Sequence, residues 1–306
     1  MSRELANDSR SVYLIGGGIA SLAAAAFLIR DGNVPGANIT ILEESPAIGG
    51  SLDAAGSPKT GYVMRGGRMF ESKYVCTFDL FSSIPTLDDS KTVTQEIFQW
   101  NETMKTSSQS RLFRNGARVD APKFGLTEHH ILTLERIALQ PEEALGRSSI
   151  ADQFEASFFE TDFWIMWCTT FAFQPWHSAA EFKRYLNRFT HMVSGFNKLK
   201  GIMRTVYNQY DSLVRPLEKW LVDRGVRFQY NTRALDLEFH DGFDGYWVRR
   251  IHCQRHGGRC DIEVGEHDLV IATLPNAAKA ARSRLSRRTA SSCSPTVCLG
   301  TKQYST

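Results

Sequence analysis

The sequence predicts an α/β fold carrying a largely helical insertion, and three observations predict it. Residues 12–43 run in the order apolar strand (Val12–Ile15), glycine turn (Gly16–Gly18), alanine-rich helix (Ile19–Arg30), apolar strand (Ile39–Leu42) and acid (Glu43). Strand-length apolar runs return late in the chain, at Val226–Tyr230 and Asp268–Thr273. Between these two α/β stretches, residues 76–200 read as mostly helical and aromatic-rich. Together they describe a Rossmann-like dinucleotide-binding fold made from residues 1–75 and 202–276, an insertion over 76–201, and a tail over 277–306 that is expected to be disordered.

Each part of the first unit has a chemical reason. Gly16 allows a sharp turn, and Gly18 lets the backbone approach a pyrophosphate. The helix starting near Ile19 and Ala20 points its unpaired N–H groups at that anion. The third fingerprint position is Ser21, not glycine, but it is small enough for close helix–strand packing. Glu43, 25 residues after Gly18, can accept hydrogen bonds from ribose hydroxyls and disfavours the extra phosphate of NADP. The competing reading is a glycine turn in an unrelated α/β domain.

After the acid comes Ser45-Pro-Ala-Ile-Gly-Gly-Ser-Leu, whose glycine pair resembles that of FAD-binding amine oxidases and desaturases. In those families the segment, here including Gly50 and Ser51, lies over the cofactor. The resemblance favours FAD over NAD, held as a prosthetic group.

Composition bounds the rest. The 306 residues are 42% hydrophobic and 11% aromatic, enough for one large or two medium domains. Residues 279–306 carry six basic side chains and no acid, so the net charge of +3 hides a body with 30 basic and 33 acidic residues. That balance gives no electrostatic case for nucleic acid. The six cysteines form no C-x-x-C pair and, with no signal peptide apparent, read as free thiols of a cytoplasmic protein. No apolar run reaches the length of about 18 residues expected of a membrane span.

Next, Arg65 and Arg68 bracket the glycine pair Gly66 and Gly67. Such a loop can approach a flat cofactor and offer guanidinium donors to phosphate, ribose or carboxylate. The plain alternative is a solvent-facing loop. In the middle of the chain, Pro85 ends the Asp79–Ile84 segment, Thr94–Trp100 is a short ordered piece, and Asn101–Ser110 is a polar loop. Leu112–Val119 reads as a β-hairpin turning at Asn115-Gly116. Thr127–Ala138 and Pro141–Leu145 are helices, and Ser149 with Asp152 resembles a capped helix start. Phe158–Phe173 is dense in aromatics, either a wall for an acyl chain or plain core.

Among histidines, His177 and Glu181 are one helical turn apart, which suits either an acid/base couple or a structural pair. His129 and His130 look solvent-facing, and His252 and His256 sit in a hairpin. No third ligand at metal spacing appears, so no metal is expected. After residue 200, a helix over Leu213–Val222 ends at Gly225, followed by strands at Val226–Tyr230, Ala234–Phe239, Tyr246–Cys253 and Asp268–Thr273. Val226 is the expected backbone contact to the adenine side.

The order and length of several runs make the chain similar to the oleate hydratases, or myosin-cross-reactive antigens, which are FAD-containing fatty acid hydratases. The runs are Ile15–Leu22, Arg65–Glu71, Asp79–Leu87, Asn115–Asp120, Phe163–Trp167, Thr170–Tyr185 and Val206–Leu217. The resemblance covers about residues 11–275. It implies addition of water across the cis-9 double bond of oleate to give 10-hydroxystearate, with FAD acting through structure and electrostatics. It makes the insertion the substrate side, and it leaves room for peripheral membrane contact and a homodimer. Tyr185 matches the tyrosine that the family places near the double bond; its unperturbed pKa of about 10 means that it needs a polarised setting to donate a proton.

Two departures matter. Most hydratases have glutamate where this chain has Met69, and that glutamate activates the water. A thioether cannot take a proton from water. Glu71 is retained at the second glutamate, so Arg68, Glu71 and backbone facing the isoalloxazine are left to order the water. From Ala277 onward the sequence departs from the family pattern, so the chain reads as a truncated or mis-spliced product, or else a short protein with a disordered basic tail, and is expected to hydrate oleate weakly or not at all. The alternatives are a flavin oxidoreductase of the amine oxidase or desaturase type, a non-catalytic FAD- or lipid-binding remnant, and a plain structural α/β domain.

Overall fold

The parallel sheet forms where the sequence places it. In the computed structural model, which describes residues 10–64, 68–108, 112–119, 124–242 and 245–273, the elements follow in chain order. The first part comprises β1 (Val12–Ile15), α1 (Ile19–Arg30), β2 (Ile39–Leu42), β3 (Ala54–Ser57), β4 (Gly61–Met64), β5 (Phe70–Glu71), α2 (Val75–Ser82) and α3 (Val93–Thr103). The middle holds β6 (Leu112–Arg114), β7 (Ala117–Val119), α4 (Glu128–Leu139), α5 (Glu142–Leu145), α6 (Asp162–Phe171), α7 (Ala179–Phe189) and β8 (Ile202–Met203). The last part is α8 (Arg215–Val222), β9 (Arg227–Gln229), β10 (Thr232–Gly242), β11 (Gly245–Arg255), β12 (Gly258–Glu263) and β13 (Leu269–Ala272).

The chain divides into two compact units. One comprises residues 1–68, 73–100 and 205–306; the other comprises residues 69–72 and 101–204. Residues 76–100, expected within the insertion, therefore group with the first unit. The tail over 277–306 lies outside the described residues.

In the first unit a four-stranded parallel sheet has the order β13-β1-β2-β9, with Leu14 paired to Ile41 on one side and to Ile271 on the other. Strand β2 is buried at all four residues, as a central parallel strand covered on both faces must be. Side chains alternate across the sheet. Tyr13, Ile15 and Leu42 pack against Ile251 and Cys253 of the antiparallel sheet β10–β11–β12. Helix α1, buried at Ser21, Leu22, Ala25 and Ala26, lies beside α2 and α8. Its alanines keep the buried stripe thin, which permits close approach of helix and strand.

The second unit is built on aromatic packing. Phe158, Trp167 and Phe182 are fully buried, with Phe154 stacked on Phe158 at 3.8 Å and Trp167 within 5.6 Å of Phe182. For these residues the core reading of the aromatic run holds. Phe171, Phe189 and Tyr185 are only partly buried at the margin of the same cluster.

Three local expectations change. Ser149 and Asp152 exchange the hydrogen bonds of a capping box, but a turn follows rather than a helix, with Gln153 Nε2 donating to Ser148 Oγ at 2.9 Å. His130 is buried rather than solvent-facing: its ring closes a capping box with Thr127 and reaches Ser157 Oγ at 3.0 Å. The polar stretch after Trp100 starts as the last turn of α3, not as loop.

Candidate functional site

The glycine turn and the acid are one structure. Gly16 adopts φ +94°, and a Cβ there would stand 2.9 Å from Thr273 Oγ1. The Gly17 amide donates to Glu43 Oε2 at 2.6 Å, and the Ser45 amide donates to Oε1 at 2.8 Å. Two oxygens with about four lone-pair sites leave acceptor capacity for further hydroxyl donors. Ser21, fully buried, bonds Thr273 Oγ1 at 2.8 Å, and Thr273 Oγ1 donates to the Ile15 carbonyl at 2.8 Å. The end of β13 is thereby tied to the first turn of α1. Thr273 has no counterpart in the fingerprint logic; its only sequence signal is that it follows an apolar strand, as Gly16 does.

Above this turn is space. Gly18 has φ −77°, and a Cβ built on it meets nothing within 4 Å. Gly18 pairs with Gly49 in a short parallel bridge, and a Cβ on Gly50 would lie 3.2 Å from the Gly18 Cα. Two glycine-bearing backbones thus meet at a helix N-terminus whose first amides have no intrahelical acceptors. Ala20 is exposed in that first turn. Open space at Gly18, small residues and the first-turn amides of α1 fit a pyrophosphate. Ser51 accepts at its carbonyl from Arg68 Nη2 at 3.1 Å, which anchors the arginine beside the Gly50 turn. Val226 is buried just before β9, and its amide donates to Leu221. Arg65, Gly66 and Gly67 lie outside the described residues.

The helical unit holds a second constellation. Strand β5 pairs with β8, placing Glu71 opposite Ile202. Glu71 is only 4% exposed. Arg188 Nη2 stands 2.9 Å from Glu71 Oε2, and His191 Nε2 stands 3.2 Å from Oε1. Sequence reasoning singles out Glu71 but neither of its partners; the available signal is that Arg188 lies three residues after Tyr185 in α7, on one helix face. Tyr185 sits among Phe171, Phe173 and Phe189, with ring centroids 5.4, 5.0 and 5.8 Å away. Met69, two residues before Glu71, is 43% exposed. His177 Nδ1 accepts from the Gln174 amide at 3.3 Å, closing the turn before α7, while Ser178 caps that helix at Glu181.

Among the described residues, no group of three or more His, Cys, Asp and Glu side chains could hold a metal ion. Nor is any described helix long and apolar enough to cross a membrane.

Comparison with known proteins gives a family match. The model of the MCRA family matches residues 9–292. An oleate hydratase from Streptococcus pyogenes serotype M49 is 37% identical over 268 residues, covering 87% of this chain and 45% of that protein. A linoleate hydratase from Lactiplantibacillus plantarum is 32% identical over 249 residues, covering 74% of this chain and 44% of that protein. The chain thus spans about half the length of these curated relatives. Among solved structures, an oxidoreductase from Methanosarcina mazei has a TM-score of 0.53 at 14% identity, covering 88% of this chain and 60% of the other. That likeness concerns the fold alone.

Proposed function

Because the chain belongs to the MCRA family, we propose that it forms the nucleotide-binding part, with adjoining substrate-side helices, of an FAD-binding fatty acid hydratase. The observation that supports this most is the glycine cradle at the N-terminus of α1 with Glu43 bonded into its base. In this reading the amides near Gly18 and Ala20 hold the pyrophosphate, and the remaining lone pairs of Glu43 take the ribose hydroxyls. Gly50, Ser51 and the Arg65–Arg68 loop border the flavin, and Val226 borders the adenine. FAD, when bound, supplies a fixed planar and polar surface beside the substrate, with no net redox change.

The reaction is hydration of the cis-9 double bond of oleate to 10-hydroxystearate. Tyr185, in its ring of phenylalanines, hands a proton to C-9, and water adds at C-10. Partly buried Phe171 and Phe189 guide the acyl chain. Met69 cannot take the proton from that water. This substitution favours a second reading, a non-catalytic FAD- and lipid-binding protein.

The test uses the full-length protein loaded with FAD, supplied with oleate in water enriched in heavy oxygen. Labelled 10-hydroxystearate with an unchanged flavin spectrum supports hydration. Flavin reduction with an unsaturated product would replace it by an oxidoreductase. Oleate retained without product would favour the binding protein. In the hydratase, Tyr185→Phe lowers kcat with flavin still bound, and Met69→Glu maintains or raises it.

A further inference from the structure

A hydratase without the usual glutamate needs another group to accept the proton of the attacking water. Glu71 cannot meet that need by direct contact. It is 4% exposed, with His191 against Oε1 and Arg188 against Oε2. Its carboxylate is turned inward and its charge is answered by a guanidinium that stays protonated. His191, by contrast, has 36% of its side chain exposed. Its Nε2 faces Glu71, so Nδ1 is the nitrogen left for chemistry. Resting on the hydratase reading, we infer that His191 is the water-activating base, and that Glu71, pinned by Arg188, positions it.

The geometry supports each role. A neutral imidazole beside a carboxylate keeps its proton on the nitrogen that faces it. Nε2–H donates to Glu71, and Nδ1 presents a lone pair. Glu71 also stabilises the imidazolium that forms, as a buried carboxylate does for a histidine base. Arg188 holds Glu71 in place from α7, the helix that also carries Tyr185. His191 follows Tyr185 by six residues, just past the end of α7 at Phe189, where tighter 3-10 turns begin.

The step balances. The π pair of the double bond takes the phenolic proton at C-9. The water oxygen forms its bond to C-10, one water O–H bond breaks, and that proton passes to Nδ1. The imidazolium then returns a proton, by way of solvent, to the phenolate. Nothing is oxidised or reduced.

The test uses the full-length FAD-loaded protein with oleate. His191→Ala should lower kcat by roughly 100-fold or more, the usual contribution of a general base, with KM and flavin occupancy little changed. Added imidazole should restore rate to His191→Ala in proportion to its concentration, and should not restore Glu71→Gln. Wild-type rate in His191→Ala, or a lost rate that imidazole leaves unchanged, overturns the base. Nitrogen NMR of the histidine-labelled protein supplies a readout independent of activity. The expected form of the neutral ring is the Nε2–H tautomer, weakened in Glu71→Gln. A dominant Nδ1–H tautomer overturns the pairing. If the wild type hydrates no unsaturated fatty acid while the Nε2–H tautomer is present, the hydratase reading fails, and the base role with it, although the His191–Glu71 pair stands.

Discussion

The Gly17 amide donates to Glu43 Oε2 at 2.6 Å, so the acid at the end of β2 holds the turn that follows β1. The residue read as a ribose ligand is also a structural clamp. Glu43→Ala should therefore lose flavin and stability together. Two amides lose a charged acceptor, and a hydrogen bond to a charged group contributes about 1.5–3 kcal/mol. Urea unfolding of the apoprotein measures the second effect without the first. An unchanged midpoint would confine Glu43 to ligand binding.

Gly18 and Gly16 should separate binding from folding. Gly18→Leu introduces a side chain into open space at an ordinary φ of −77°, so the apoprotein should fold and lack yellow colour. Gly16→Ala places a Cβ 2.9 Å from Thr273 Oγ1 at φ +94°, a strain of about 1–3 kcal/mol. Its thermal midpoint should fall. Flavin absorbance per protein and calorimetry read the two outcomes, and full flavin occupancy in Gly18→Leu would remove the cradle from the argument.

The aromatic run should divide by burial. Trp167→Ala, at a fully buried site, should destabilise the helical unit by about 3–5 kcal/mol, seen by circular dichroism in urea. Phe171→Ala, at the partly buried margin against Tyr185, should change chain-length preference or kcat more than stability. Equal loss of stability in both would make the whole run core.

Cys253 should give an alkaline signature. Burial first, then the neighbouring Cys260 and Asp261, push its thiol up to about 12. An unfolded thiol titrates near 8.5. The neutral thiol's contribution to stability is thus complete below the unfolded value. It is lost as pH rises toward the folded value, because only the unfolded chain gains the charge. Relative to Cys253→Ala, the wild type should lose more stability between about pH 8 and about pH 10.5. Exposed Cys76 should alkylate at neutral pH while Cys253 resists. Parallel pH slopes in the two proteins would show that Cys253 does not titrate in this way.

The parallel-sheet unit was legible because its signals are local. A four-residue apolar run, three glycines and an alanine-rich helix specify their own backbone, and β1, α1 and β2 form at the residues the pattern marks. Hairpin β6–β7 follows from Asn115-Gly116 for the same reason: the turn pair supplies the positive φ that the turn needs. Ser149 shows the limit. Its reciprocal bonds with Asp152 form, yet only a turn follows, although Ile150, Phe154 and Phe158 behind it are buried.

What the sequence alone determined was therefore the strand–turn–helix unit, its acid and the aromatic wealth of the insertion. Tertiary structure decided which long-range partners complete them. Ser21 meets Thr273 across 252 residues, and Glu71 meets His191 across 120. It also decided which aromatics are core and which are margin. Local patterns report backbone preference and periodicity, which act over a few residues. A buried carboxylate's partners depend on which strand β5 joins and which face α7 turns toward it, and that is settled only when the whole unit packs.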